Sequence, residues 1–401
     1  MRHIIIPLSP LFVKSYFEKF FIFFVADAGL IFYPCYAIIY TKQIQRVALR
    51  RRKEGNMQRS SGKTHAARLL LLSILHLVTD ALSAALVFGR LYPAYGNSAA
   101  LIFLLYNLTA FVLQAPLGLL ADVYKRPAVL ISASGALLLL AVLASGAPIP
   151  SVILLGLGNA LLHVTGGRCV AVESAGDIGS LGIFVSTGAV GLFLGQQFAD
   201  RPWFSFLLLI LFAAVALCLV LIPAARPTIE NTPPQSIKKA PLLLLAVAAV
   251  VLIRAFVGKI ATPDFALTAR LALLLSLSTA LGKALGGILC KRLGHVAVIV
   301  ATMTLAMILQ VLGDGIPTLY FLGVLAFNCS MPITLYYANR LMRGHEGFAF
   351  GALAALLIPG YLLALYVPPA AKAPLTALLT FASLFLLLFS SRALKQPRKE
   401  P

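Results

Sequence analysis

Acidic residues are scarce in this sequence. Only 13 Asp and Glu stand among 401 residues, against 33 Lys and Arg, and charged residues of both signs make up just 11%. Soluble domains carry about 25%, so a chain solvated by water over most of its surface is excluded. Hydrophobic residues fill the gap at 60%, with a mean hydropathy of +0.94. Cysteine is sparse too. Cys35, Cys169, Cys218, Cys290 and Cys329 never stand at CxxC spacing and mostly fall in apolar runs. That pattern argues against a disulfide framework or a structural zinc site and suits small packing residues. A Walker-type Gly-rich phosphate loop is missing, which argues against ATP drive within the chain. No loop between apolar runs is large enough to hold a soluble catalytic domain. The net charge of +20 would suit a nucleic-acid partner, but there is no aromatic-rich basic domain to bind one. The cations sit in short loops instead.

What is present is a series of long apolar runs. A bilayer core about 30 Å thick needs about 20 apolar residues per helix. Twelve runs meet that length, near 67–89, 98–118, 128–146, 150–167, 178–198, 203–223, 241–261, 266–287, 295–313, 317–338, 346–367 and 373–391. The connections are short and rich in Pro, Gly or charge. If the segment before the first run is cytoplasmic, alternate connections and the tail put 23 Lys and Arg on that side and 4 on the other. Cytoplasmic loops are enriched in Lys and Arg, so the bias supports both the count and the orientation. It predicts an integral membrane protein of the plasma (inner) membrane with both ends of its core cytoplasmic.

The chain then divides as follows. Residues 1–56 form an N-terminal extension, 57–223 a first six-helix half, and 224–240 a cytoplasmic central loop. Residues 241–391 form a second six-helix half and 392–401 a basic cytoplasmic tail. Within the extension, "FFIFFVADAGLIFYPCYAIIY" at 20–40 has the length of a thirteenth helix. Arg2, Lys14 and Lys19 would then lie outside, against the charge rule. A translation start at Met57, with a basic lead-in to the first span, is the favoured alternative.

"GLLADVYKRP" follows the second run. It resembles the Gly-x-x-x-Asp-Arg-x-Gly-Arg/Lys pattern that the major facilitator superfamily of transporters carries between spans two and three. Gly118, Asp122 and Arg126 match; Val123 and Lys125 depart, standing where Arg and Gly are usual. "GILCKRLGH" after the eighth run is a degenerate copy. It keeps Gly287, Arg292 and Gly294, with Lys291 at the position of the acid. Each copy follows the second span of its own half, as parallel repeats require. A weaker resemblance, to fosmidomycin-resistance-type exporters, rests on "LHLVTDAL", "GLGNALLHVTGG", "GIFVSTGAVGLFLG" and "FNCSMPITLYY". The resemblance implies an all-α membrane protein of twelve helices in two pseudo-symmetric bundles, the major facilitator fold, with a candidate extra N-terminal helix. It also implies a monomer whose motif loops act as a cytoplasmic gate. Asp122 is expected to face Arg126 or the positive end of a neighbouring helix, and the first copy is expected to be the latch.

Ionisable groups at membrane depth are costly and usually face a cavity or a partner. His76 and Asp80 stand at i and i+4 in span one, and Asn159 and His163 in span four. Arg254 lies in span seven and Asn328 in span ten. The resemblance implies that these four spans line the central cavity, which makes all six residues candidates for solute binding or proton coupling. Asp80 and His76 suit proton uptake and release; Arg254 suits a counter-charge for Asp80 or an anionic group on the solute. No catalytic residue, cofactor or metal is expected, since the spacing of His76, Asp80 and His163 does not imply a metal geometry. Gly182, Gly188, Gly191 and Gly195 in span five suit close helix packing, and Pro332 and Pro359 suit kinks. The function expected is secondary transport of a small organic solute by alternating access, proton-coupled, with export favoured. An integral-membrane enzyme and a non-transporting scaffold or sensor are the alternatives.

Overall fold

The computed structural model describes residues 62–224 and 240–394, except positions 264 and 314. The candidate helix at 20–40, most of the central loop and the end of the tail lie outside the described residues. All twelve expected spans are helices. They are α1 (Thr64–Tyr95), α2 (Ala99–Tyr124), α3 (Pro127–Gly146), α4 (Pro148–Glu173), α5 (Ile178–Gln197) and α6 (Pro202–Leu221). The second six are α7 (Ala240–Ile260), α8 (Ala269–Leu293), α9 (His295–Leu312), α10 (Pro317–Leu341), α11 (Glu346–Ala364) and α12 (Pro369–Ala393).

Several helices outrun their apolar stretches. Hydropathy falls where a helix leaves the hydrocarbon, but the backbone ladder continues. Thus α2 runs to Tyr124, so most of "GLLADVYKRP" is helix and Asp122 sits in its last turn. Similarly, α4 runs to Glu173 and takes Arg168 out of the loop. Prolines mark the irregularities. A proline cannot donate to residue i−4 and its ring presses on that carbonyl. Pro332 stands four residues after Asn328, where the first segment of α10 ends. Pro359 stands four after Ala355, where the first segment of α11 ends. A wider turn at Leu108–Val112 in α2 likewise ends four residues before Pro116.

The packing repeats between the halves. In the first, α1 packs on α5 and α6, and α3 on α4; in the second, α7 packs on α11 and α12, and α9 on α10. The halves meet chiefly through α5 with α8 and α2 with α11, with smaller contacts of α4 with α11 and α5 with α10. The outer helices α3, α6, α9 and α12 expose Leu143, Ile210, Leu312 and Phe385, as lipid-facing surfaces do. Arg68 ties three helices of the first half together. Its Nε and Nη2 each donate at 2.7 Å to the carboxylate of Glu173 on α4. Its Nη1 reaches the carbonyls of Leu219 and Ile222 at the end of α6. Those carbonyls are otherwise left without partners at a helix C-terminus.

Candidate functional site

Four of the six intramembrane candidates meet at one place. Asp80 on α1 projects between two imidazoles. Its Oδ2 lies 3.3 Å from His76 Nε2 and its Oδ1 3.4 Å from His163 Nε2. Asn159 Nδ2 donates to Asp80 Oδ1 and to Ser83 Oγ, both at 3.1 Å. The i,i+4 spacing of His76 and Asp80, and of Asn159 and His163, puts each pair on one helix face, and the two faces point at each other. The imidazoles meet edge to face with centroids 4.4 Å apart. On the third side, α5 passes close enough that a Cβ at Gly188 would overlap Asp80 Oδ2. Gly188 therefore leaves room for the carboxylate, whereas a Cβ at Gly191 or Gly195 would strike α1 backbone at Leu77 or Ala81.

Hydrogen bonding fixes the ring hydrogens. His76 Nδ1 lies 2.8 Å from the Phe184 carbonyl, and His163 Nδ1 lies 2.8 Å from the Asn159 carbonyl. A carbonyl only accepts, so both Nδ1 atoms carry hydrogen. Both Nε2 atoms then face the Asp80 carboxylate. With neutral rings and an ionised acid, three acceptors would converge, so the arrangement calls for a cation among them. A proton on either Nε2 or on the carboxyl meets that need. The three ligand atoms also lie within 4.8 Å of one another, close enough for one divalent ion.

The other two candidates do not join this cluster. Arg254 on α7 approaches Thr334 Oγ1 at 3.4 Å and makes no ion pair with Asp80. Asn328 Nδ2 donates to its own helix, to the Val324 carbonyl at 2.8 Å. Sequence reasoning passed over Lys283 on α8. It lies fourteen residues into α8 and is part-buried. Its presence in an apolar span was the signal that could have found it.

At the face where α2 ends and α11 begins, Asp122 reaches across the two halves. Its side chain is 1% exposed and does not face Arg126. The carboxylate accepts from the backbone N–H groups of Gly347 (2.9 Å) and Phe348 (2.8 Å) at the start of α11. Arg168 Nε donates to the same carboxylate at 3.0 Å. Gly118 makes this approach feasible, because a Cβ there would overlap the Gly347 carbonyl. Lys125 ends α2 in the left-handed region at φ 54°, which explains why glycine suits that motif position. Arg126 lies over the Tyr124 ring.

The second copy makes the matching contact with its charges exchanged. Lys291 Nζ, at the position of Asp122, lies 2.9 Å from Asp177 Oδ1. Asp177 is the N-cap of α5, accepting from Ser180 N at 2.9 Å. A Cβ at Gly287 would overlap the Ile178 carbonyl. Arg292 follows Lys291 in the last turn of α8, and Gly294 ends that helix at φ 83°. Burial pushes the Asp177 carboxyl up, but Lys291 and the Ser180 donors outweigh it and hold the acid below the usual carboxylate range.

No family model matches this chain, and no curated protein matches it either. Among solved structures it is similar to the E. coli fucose:proton symporter FucP. The TM-score is 0.60 at 14% identity, over 82% of this chain and 99% of that one. FucP as a major facilitator superfamily transporter in the outward conformation gives the same figures. A bacterial homologue of the iron transporter ferroportin, in an outward-facing state, gives 0.50 at 15% identity over 82% and 98%. These likenesses show the fold: the chain is an integral membrane protein with the twelve-helix major facilitator fold.

Proposed function

We propose that this protein is a secondary transporter that moves a small organic solute by alternating access, coupled to protons, with export as the favoured direction. It works as a monomer in the plasma (inner) membrane, with both ends of the helical core cytoplasmic. The observation that carries the coupling is the Asp80 cluster. Two imidazoles with committed Nδ1 hydrogens turn both Nε2 atoms onto one carboxylate. Such a cluster holds a proton well and tolerates its loss only when the surroundings change. Alternating access supplies that change.

The positions of Asp122 and Lys291 support the gate. Both sit where one half meets the other, at the face read as cytoplasmic from the charge bias. In this reading, the two contacts close the cytoplasmic side in one state and part in the other. The solved structures of similar fold include a proton symporter, which fits ion coupling and leaves solute and direction to experiment.

Asp80→Asn is the direct test. In proteoliposomes with an imposed pH gradient, the variant should fold and insert normally but lose gradient-driven flux by about 100-fold or more, the range of one essential proton-transfer group. Full coupled flux by Asp80→Asn removes the cluster from the mechanism. A second reading has the three side chains hold a divalent transition metal, favoured by their ligand atoms lying within 4.8 Å of one another. It predicts flux that depends on added zinc and ignores the pH gradient.

A further inference from the structure

The three acceptors around Asp80 call for a cation, and a proton is not the only one they fit. Each neutral imidazole turns a lone pair on Nε2 toward the carboxylate, because its Nδ1–H is committed to a backbone carbonyl. That carbonyl belongs to Phe184 for His76 and to Asn159 for His163, both at 2.8 Å. Metal-bound histidines are oriented in this way, with the far ring nitrogen donating to a carbonyl or carboxylate. Ligating carboxylates are hydrogen-bonded in turn, and Asp80 Oδ1 accepts from Asn159 Nδ2 at 3.1 Å.

The separations suit an ion better than a bare hydrogen bond. The two imidazole-to-carboxylate distances are 3.3 and 3.4 Å. An N–H···O bond spans about 2.7–3.2 Å. Two ligand atoms on a tetrahedral ion, with bonds of about 2.0–2.1 Å, stand about 3.3–3.4 Å apart. All three ligand atoms lie within 4.8 Å of one another. The donor set also selects the ion. Imidazole nitrogens suit zinc, cobalt and nickel, whereas calcium and magnesium take shells of oxygen. Access comes from the carboxylate, whose side chain is 21% exposed against 6% and 12% for His76 and His163. A Cβ at Gly188 would crowd both Asp80 Oδ2 and His76 Nε2, so the glycine leaves two of the three ligand atoms uncovered.

We infer that His76, Asp80 and His163 form an inhibitory site for a divalent transition ion of the zinc class, which takes the place of the coupling proton. The ion site stands on the ligand geometry; the inhibition rests on the transporter reading above. All three ligands belong to the first half, so the ion does not bolt the halves together. It acts by occupancy, because lone pairs bonded to a metal are closed to protons. Zinc as cargo has the opposite signature: added zinc would drive flux, whereas here it stops flux.

The experiment titrates Zn²⁺ and Co²⁺ into the purified full-length protein in nanodiscs, with any affinity tag removed and Mg²⁺ as the control ion. Calorimetry should give one Zn²⁺ per chain with a Kd of about 10 μM or tighter, and no binding of Mg²⁺. Co²⁺ should develop the intense visible absorption of a tetrahedral centre, and Zn²⁺ should bleach it. Asp80→Asn and His163→Gln should each weaken Zn²⁺ about 100-fold or more. Asn159→Ala removes no ligand and leaves the carbonyl that His163 uses, and should weaken it about tenfold or more. His65→Ala and His295→Ala, outside the cluster, should bind as wild type does. Circular dichroism should show each variant folded.

In proteoliposomes, Zn²⁺ at about ten times its Kd should lower pH-driven flux about tenfold, and a chelator should restore it. The inference is overturned if the wild type does not bind Zn²⁺ at that affinity, or if Co²⁺ shows only the weak bands of a hydrated octahedral ion. It is also overturned if Asp80→Asn and His163→Gln bind like wild type, or if bound Zn²⁺ leaves flux unchanged or raises it. A protein without gradient-driven flux in metal-free buffer fails the transporter reading and takes the inhibition with it. The titrations need no flux and decide the ion site separately.

Discussion

The two joints between the halves occupy equivalent positions and are built from opposite charges. At the α2–α11 joint, the motif supplies the acid. Asp122 reaches the bare N-terminus of the opposite helix and is sealed from water, with Arg168 behind it. At the α8–α5 joint, the opposite helix brings its own cap, Asp177, and the motif position supplies Lys291 to meet it, with a lysine side chain 55% exposed. The shared requirement is geometric: a glycine one turn before, so that the helices touch, and a negative charge at the helix N-terminus. Which half supplies that charge is free to change. The energy is not shared equally. A buried carboxylate stripped of its role leaves donors without partners, a loss of about 3–5 kcal/mol. An exposed lysine–carboxylate pair contributes about 0–1 kcal/mol. The first joint is therefore the stronger latch.

That comparison can be broken at several points. The largest effect is expected from Asp122→Ala, which should destabilise the closed state by about 3 kcal/mol or more. Hydrogen exchange read by mass spectrometry should show the amides of Gly347 and Phe348 losing protection, while Ser180 keeps its own. Equal loss at both joints would mean that they open as one unit and share the load. Gly118→Ala tests the same joint through its geometry. Its Cβ would overlap the Gly347 carbonyl, so α2 and α11 must move apart, with a penalty of about 1–3 kcal/mol.

A smaller effect, about 0–1 kcal/mol, is expected from Lys291→Met, because Asp177 continues to cap α5. Its signature is pH dependence. The folded-state carboxyl of Asp177 lies below its usual value, and the unfolded one lies near about 3.9. The stabilisation is therefore complete above the unfolded value and is lost as pH falls through the folded one. Removing Lys291 should bring that loss to higher pH, visible as earlier exchange of the Ser180 amide on acidification. An unchanged profile would assign the low value to the Ser180 donors alone. A change of comparable size and opposite sign is Lys125→Gly, which relieves the left-handed backbone at φ 54°. It should raise stability by about 0.5–1 kcal/mol, measured as a higher unfolding midpoint.

The twelve spans were legible because hydropathy and charge bias act locally: each run of apolar residues declares itself without reference to any other. The same local logic found His76 with Asp80, and Asn159 with His163, since i and i+4 share a helix face whatever surrounds the helix. It failed at helix ends. Arg168 reads as a loop cation but lies inside α4, and its partner Asp122 comes from another helix. Glu173 reads as an isolated acid, yet Arg68 holds it from 105 positions away. Lys283 was visible as a charge in a span, but that it joins none of the ion pairs among the described residues shows only in the structure.

The sequence by itself determined the membrane solvent, the twelve spans among the described residues, the repeat of the motif and the residue types that bear charge at depth. These follow from the cost of moving polar groups out of water, which each segment meets alone. Only the tertiary structure decided that two histidines aim their Nε2 atoms at one carboxylate, that Asp122 caps α11 rather than pairing with Arg126, and that Lys291 meets Asp177. Those contacts span 46 to 226 positions of chain for Asp122 alone. They depend on glycines that let specific helices touch, and no local pattern says which helix will be on the other side.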